Sequence, residues 1–289
     1  MQTETFQVQR NGLTLHGEAV GEGPPIVLLH GLSATRRNVV QGSRHLAKRG
    51  YRLIAYDARG HGASSPAPAY RYPELVGDLG AVLEQLQLER GAMAGSSMGA
   101  ATAMSFALEH PQRVSALVQI TPAYRGRVSP DHRWERMAAE LERGGVEAFV
   151  EEALPSGLPE RWREVTREGI RQRMERHEHL DAVAQALREV PCSAAWSGLE
   201  RLSALDVPVL IVASRDEIDA MHPLAVAEEY ERRLPRAELI SEDEGESPLA
   251  WQGARLSGAI GDFLERAQYL PARTQRGSGR ASPRMGYSS

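Results

Sequence analysis

Ser97 lies within Gly95-Ser96-Ser97-Met98-Gly99, a Gly-x-Ser-x-Gly pentapeptide. Ala92-Met93-Ala94 before it reads as a short small-residue strand, and Ala100 to Leu108 after it reads as a helix. In that strand–turn–helix setting the pentapeptide is expected to be a nucleophile elbow. The reason is steric. A turn that lifts one side chain clear of the sheet strains its own backbone, so the flanking positions must be glycine or small, a demand that Gly95, Gly99 and Ala100 meet. The hydroxyl then stands where the N-terminus of the following helix directs free N–H groups, which favours negative charge developing on a substrate oxygen.

Other chemistries are poorly supported by residue type. Lys48 is the only lysine and Arg49 follows it, so no phosphate-binding Gly-Lys-Ser/Thr loop exists. No His-Glu-x-x-His pattern and no Gly-x-Gly-x-x-Gly after a strand is present, and no cofactor or metal is implied. His177-Glu178-His179 looks like a metal pair only at first sight. On a helix, residues two apart point to different sides, and the pair reads as a solvated face.

The elements that must position Ser97 follow from periodicity. Phe6 and Val8, a turn at Asn11-Gly12, and Leu13 and Leu15 predict an antiparallel hairpin. Ile26 to Leu29 reads as a strand buried on both faces, followed by a helix expected from about Arg36 to Lys48, then a strand over Arg52 to Tyr56. Leu75, Leu79, Val82, Leu83 and Leu86 mark a helical face, and Ala116 to Ile120 another strand. This order predicts an α/β fold with a mostly parallel sheet covered by helices on both sides.

From Tyr124 to Leu205 only helical stripes remain: Trp134, Met137, Ala138 and Leu141; Val146, Phe149, Val150 and Ala153; Leu180, Val183, Ala184 and Leu187. Strand–helix alternation returns at Val207 to Ala213, with a helix through Ala227, Tyr230 and Leu234, a strand over Ala237 to Ile240, and a last helix with Leu256, Ile260, Phe263 and Leu264 inward. The expected organisation is a core of residues 1–123 and 206–268, a helical cap at 124–205, and a basic, unpacked tail at 269–289. Trp134, Met137, Phe149 and Trp162 either line an apolar pocket or bury the cap's own interior.

With 289 residues, 42% hydrophobic and 25% charged, the composition is that of a soluble globular protein. The net charge of −4 offers no general attraction to nucleic acid or anionic lipid. The single cysteine, Cys192, fits a reducing compartment, and no apolar run is long enough to span a bilayer, so a cytoplasmic setting without membrane contact is expected. Nothing in the sequence fixes an oligomeric state.

With this order of elements and this elbow, residues 5 to 268 resemble the α/β-hydrolase superfamily, in particular its capped esterase, haloperoxidase and C–C hydrolase members. His30-Gly31-Leu32-Ser33 matches the family's His-Gly motif. The resemblance implies that the Leu32 and Met98 backbone N–H groups form the oxyanion hole. Asp57-Ala58-Arg59-Gly60-His61-Gly62-Ala63-Ser64 is similar to a family turn with a structural role. Asp216, just past the strand ending at Ala213, takes the place of the triad carboxylate, with Glu217 and Asp219 as neighbours able to serve instead. The resemblance implies a serine hydrolase acting on a small ester, thioester or related acyl compound through Ser97, and the serine argues against branches that use a carboxylate nucleophile.

The family places its triad histidine after a glycine past the last strand, and here that place reads Gly245-Glu246. Three readings of the base follow. His222, the only histidine after Asp216, accepts the Ser97 proton while Asp216 or Glu246 orients its ring. Alternatively Glu246 itself is the base, which requires burial or the nearby Asp216 to raise its pKa. In the third reading the pocket persists but hydrolyses little, and the protein binds a ligand or runs other chemistry.

Overall fold

The structure, a computed structural model, describes residues 1–128, 131–215, 219 and 221–271. The tail expected at 269–289 falls almost entirely outside them.

Eight strands form one sheet in the order β1-β2-β4-β3-β5-β6-β7-β8. They are β1 (Thr3–Arg10), β2 (Leu13–Val20), β3 (Pro25–Leu29), β4 (Arg52–Tyr56), β5 (Gly91–Ser96), β6 (Val114–Ile120), β7 (Val209–Val212) and β8 (Ala237–Ile240). The hairpin β1–β2 is antiparallel, β2 pairs antiparallel with β4, and every other pair is parallel. The helices are α1 (His45–Lys48), α2 (Tyr72–Gln85), α3 (Met98–Glu109), α4 (His132–Ala153), α5 (Glu160–Met174), α6 (Leu180–Glu189), α7 (Leu224–Arg233) and α8 (Gly253–Arg266).

Alternation along each parallel strand feeds two apolar layers. Val27, Leu29, Met93, Leu117 and Ile211 pack with residues of α2, α3 and α7. Ile26, Leu28, Ala92, Ala94, Val118 and Leu210 pack on the opposite face with residues of α1 and α8. A strand with both sides buried must be apolar throughout, which is why β3 and β7 read as continuous hydrophobic runs. The central place of β5, between β3 and β6, sets its C-terminal end in the middle of the sheet edge where parallel sheets carry ligands.

One expected element is much shorter than its apolar spacing suggested. Only His45–Lys48 is helical within the stretch from Arg36. The Asn38 side chain accepts the Thr35 N–H, and Gln41 and Gly42 take φ of 49° and 70°, so the chain turns instead of winding on.

Helices α4, α5 and α6 follow β6 and precede β7, and enclose a separate apolar cluster of Met137, Leu141, Phe149, Ile170, Met174, Val183 and Leu187. Met137 and Phe149 are therefore spent on the interior of this insertion. Within α4 the two sequence stripes meet at Gly145, whose φ of 67° breaks the helical path. Helix α5 had no stripe of its own in the sequence reading, being strongly charged, yet Thr166, Ile170 and Met174 form its buried side.

His177, expected on a solvated helix face, is buried in the link between α5 and α6. There its Nδ1 accepts the Gly62 N–H at 2.9 Å, while the Glu178 N–H donates to the Gly62 carbonyl at 2.9 Å. This pair ties the inserted helices to the turn after β4. Burial, with the neighbouring His30 ring adding to it, lowers the His177 pKa to about 4. The unfolded chain protonates near the ordinary value of about 6.5, so between those limits it binds the proton that the folded state refuses, and stability drops as pH falls. From pH 6.5 to 4.5 this group should cost about 2 kcal/mol. Urea unfolding across that range should show a shallower acid loss in His177→Gln than in the wild type. An equal slope in the two proteins would dismiss His177 as the titrating anchor.

Candidate active site

The end of β5 and the start of α3 form the expected turn, and Ser97 between them has φ 50° and ψ −108°. Its N–H donates to the Ile120 carbonyl and its carbonyl accepts the Ala101 N–H, both at 3.0 Å, so strand pairing and the first helical bond hold the unusual conformation. A Cβ on Gly99 would stand 2.2 Å from the Leu29 carbonyl oxygen, and one on Gly95 2.3 Å from that of Gly99. The two glycines are thus required by close backbone approach.

The loop after β3 runs beside the serine, with the position of a Cβ on Gly31 only 3.5 Å from Ser97 Cβ. His30 shapes this loop: its Nδ1 donates to the Gly31 carbonyl at 2.8 Å and its Nε2 accepts the Ala58 N–H at 2.9 Å. Burial lowers its pKa and keeps the ring neutral in this role. Met98 opens α3, where the first N–H groups have no acceptor within the helix. The Leu32 side chain packs against both the sheet core and the cluster of the inserted helices.

Asp57 and His61, from the turn after β4, are buried and engaged elsewhere. Asp57 accepts the Arg36 and Ala63 N–H groups and pairs with the Arg36 guanidinium. His61 Nδ1 bonds the Arg59 carbonyl at 2.9 Å.

The loop after β7 brings His222 to the serine. Ser97 Oγ lies 2.8 Å from His222 Nε2, and His222 Nδ1 lies 2.6 Å from Asp219 Oδ2. With its proton on Nδ1, the ring donates to the carboxylate and offers an unprotonated Nε2 to the hydroxyl. A single turn produces this arrangement. The His222 N–H donates to the Asp219 carbonyl at 3.1 Å, and Pro223 precedes α7. The Asp219 carboxylate also takes the Met221 N–H two residues on, the pattern of an Asx-turn. Burial works to raise the Asp219 pKa, but the His222 ring, the Arg173 charge and the Met221 N–H together hold it below its ordinary value.

Asp216, expected in the orienting role, lies outside the described residues; His222 Nδ1 meets Asp219, the neighbour able to serve instead. A carboxylate three residues before the histidine, across one closed turn, reaches the ring directly. Glu246, expected as base or orienting acid, is engaged with Arg255 and the Asp243 N–H instead of with Ser97 or His222. Its side chain is 43% exposed and its Oε2 lies 2.6 Å from Arg255 Nη1. The hydrogen bond from Arg255 lowers its pKa, opposite to what a base requires. Gly245, with φ 78°, closes the turn in which the Glu246 N–H bonds the Asp243 carbonyl.

Sequence reading overlooked Glu242, which is buried just past β8 and accepts the Arg215 N–H at 2.6 Å. Its backbone carbonyl takes Arg215 Nε at 3.0 Å. Glu242 thereby braces the start of the loop that carries Asp219 and His222. Its only sequence signal was an acid at a strand end, shared with several neighbours.

The profile of the alpha/beta hydrolase fold family matches residues 24–253, and the chain belongs to that family. It is 28% identical over 241 residues to the AB hydrolase superfamily protein YisY of Bacillus subtilis, covering 79% of this chain and 86% of that protein. It is 39% identical over 99 residues to the sn-1-specific diacylglycerol lipase ABHD11 of Xenopus laevis, a match covering 34% of this chain and about a third of that relative's length (32%). Among solved structures, the enol-lactonase from Burkholderia xenovorans LB400 superposes with a TM-score of 0.76 at 23% identity, covering 90% of this chain and all (100%) of that one.

The Nδ1 proton of His222 provides a direct check on these contacts. In proton NMR it should give a strongly downfield resonance that is lost in Asp219→Asn and kept in Glu246→Gln. Persistence in Asp219→Asn, or loss in Glu246→Gln, would contradict the assignment.

Proposed function

We propose that this protein is a serine hydrolase that cleaves a small carboxylic ester, thioester or related acyl compound through an acyl-enzyme on Ser97. The observation that carries the reading is the unbroken chain of contacts from Ser97 Oγ to His222 Nε2 at 2.8 Å and from His222 Nδ1 to Asp219 at 2.6 Å.

In this mechanism Ser97 Oγ attacks the acyl carbon while its proton passes to His222 Nε2. The ring becomes an imidazolium, which the ionised Asp219 stabilises and holds in orientation. The Leu32 and Met98 N–H groups receive the negative charge on the former carbonyl oxygen, and losing one such donor typically costs about 10²–10³ in rate. Collapse of the tetrahedral intermediate breaks the bond to the alcohol or thiol, which leaves with the proton from His222. Water then attacks the acyl-enzyme, giving its proton to the same nitrogen, and a second collapse frees the acid and restores Ser97.

The inserted helices act as a cap on this reading, supported by the packing of Leu32 against their cluster. A cytoplasmic setting belongs to the same reading. It is supported by the presence of one cysteine in the sequence, and no helix among the described residues is long and apolar enough to cross a membrane.

A fluorophosphonate probe tests the proposal. It should label the wild type at Ser97, fail to label Ser97→Ala, and react more slowly with His222→Ala by about 10²–10⁴-fold, the usual share of a general base. Glu246→Gln should label at close to the wild-type rate. Absence of labelling in the wild type would point instead to a ligand-binding protein on a hydrolase scaffold.

A further inference from the structure

Arg173 lies near the C-terminal end of α5. Its Nε is buried without a hydrogen-bond partner, and the side chain makes no ion pair among the described residues. Yet its charge acts on both Asp219 and His177, so it lies in the neighbourhood of the carboxylate that meets His222 and of the anchor of the inserted helices. Asp219 does not neutralise it by direct contact, since that carboxylate is taken up by His222 and the Met221 N–H. Burial without a partner disfavours the charged form and lowers the Arg173 pKa, with the Asp219 charge opposing the shift. A buried donor left without a partner is costly in a folded protein.

Arg173 does not stand alone on its helix. Trp162 Nε1 and Thr166 Oγ1 are likewise buried with no partner. At the helical spacing of about 100° per residue, positions 162, 166 and 173 fall within about 40° of one another along a row about 17 Å long. One stripe of α5 therefore presents three unsatisfied polar groups, where a packed apolar face would present none. A polar molecule held beneath the cap would satisfy them.

We propose that Arg173 is the anion-recognising residue of this site and that the substrate is an acyl compound bearing a free carboxylate, held by Arg173 while its ester or thioester bond meets Ser97. The inference rests on the acyl-transfer reading above for the second half of that statement only. The guanidinium fork suits a carboxylate, which it can engage through two parallel N–H donors. Substrate binding would also remove the penalty of the unpaired cation, so an uncharged analogue of the same length would forgo that gain.

Two chromogenic esters of equal chain length separate the possibilities: mono-p-nitrophenyl glutarate, which carries a carboxylate, and p-nitrophenyl valerate, which does not. The wild type should favour the charged ester in kcat/KM, chiefly through KM. In Arg173→Gln the charged-to-neutral ratio should fall by about 10–100-fold, the range expected for charge-assisted hydrogen bonds, and Arg173→Lys should recover part of it. An unchanged ratio would overturn the proposal even if both rates fell, because an effect through Asp219 would act on the two esters alike. No preference for the charged ester in the wild type would overturn it as well, even if the variant failed to fold. Glutarate itself gives a readout free of catalysis. It should raise the melting temperature of the wild type, and a wild type unmoved by glutarate contradicts the anion site whether or not Ser97 reacts with the fluorophosphonate.

Discussion

The left-handed backbone of Ser97 is the constraint on which the rest of the site depends. A non-glycine residue at φ 50° and ψ −108° is strained by about 1–3 kcal/mol, and it persists only where the surroundings leave no alternative. Here β5 pairs on both sides, the Ser97 N–H is bound to β6, and the first turn of α3 presses Gly99 against the carbonyl end of β3. The same tight approach brings the loop of Gly31 and Leu32 beside the serine. Ser97, the first amide of α3 and the amides of the β3 loop are therefore fixed by one piece of packing.

The remaining partner comes from a different source. The loop after β7 folds into a turn in which Asp219 bonds both the backbone and the ring of His222, so the two side chains arrive as one preassembled unit. The loop after β8, where family resemblance placed a histidine, instead supplies Glu242 to brace the neighbouring loop and gives Glu246 to Arg255 at the surface. With only two residues between Asp219 and His222, their mutual geometry depends on few torsions. Their approach to Ser97 depends on how β7 and its bracing hold the loop.

The parts of this arrangement that were legible in the sequence are those set by short-range rules. Buried parallel strands show as apolar runs at 26–29 and 209–212, and the elbow shows as small residues around one serine. His222 was identified by being the sole histidine in the right part of the chain. Which carboxylate meets its ring was not legible, because Asp216, Glu217 and Asp219 share the same composition and only the turn geometry separates them. His177 differs from the solvated reading for a related reason: that reading assumed a helix, and α5 ends at Met174, before His177. Arg173 and Glu242 belong to no motif. Their importance comes from what surrounds them in space, as α5 looks like a charged surface helix until its unpartnered atoms are located.

On the proposed mechanism Ser97 forms a covalent acyl intermediate and His222 takes its proton. Rapid acid quenching of the protein during turnover of p-nitrophenyl acetate, followed by mass spectrometry of the peptide spanning Gly95 to Gly99, tests it most directly. An acetyl group should form on Ser97 in the wild type, be absent in Ser97→Ala, and form far more slowly in His222→Ala. Turnover with no acetyl group on that peptide, or acetylation whose rate is indifferent to His222, would contradict it.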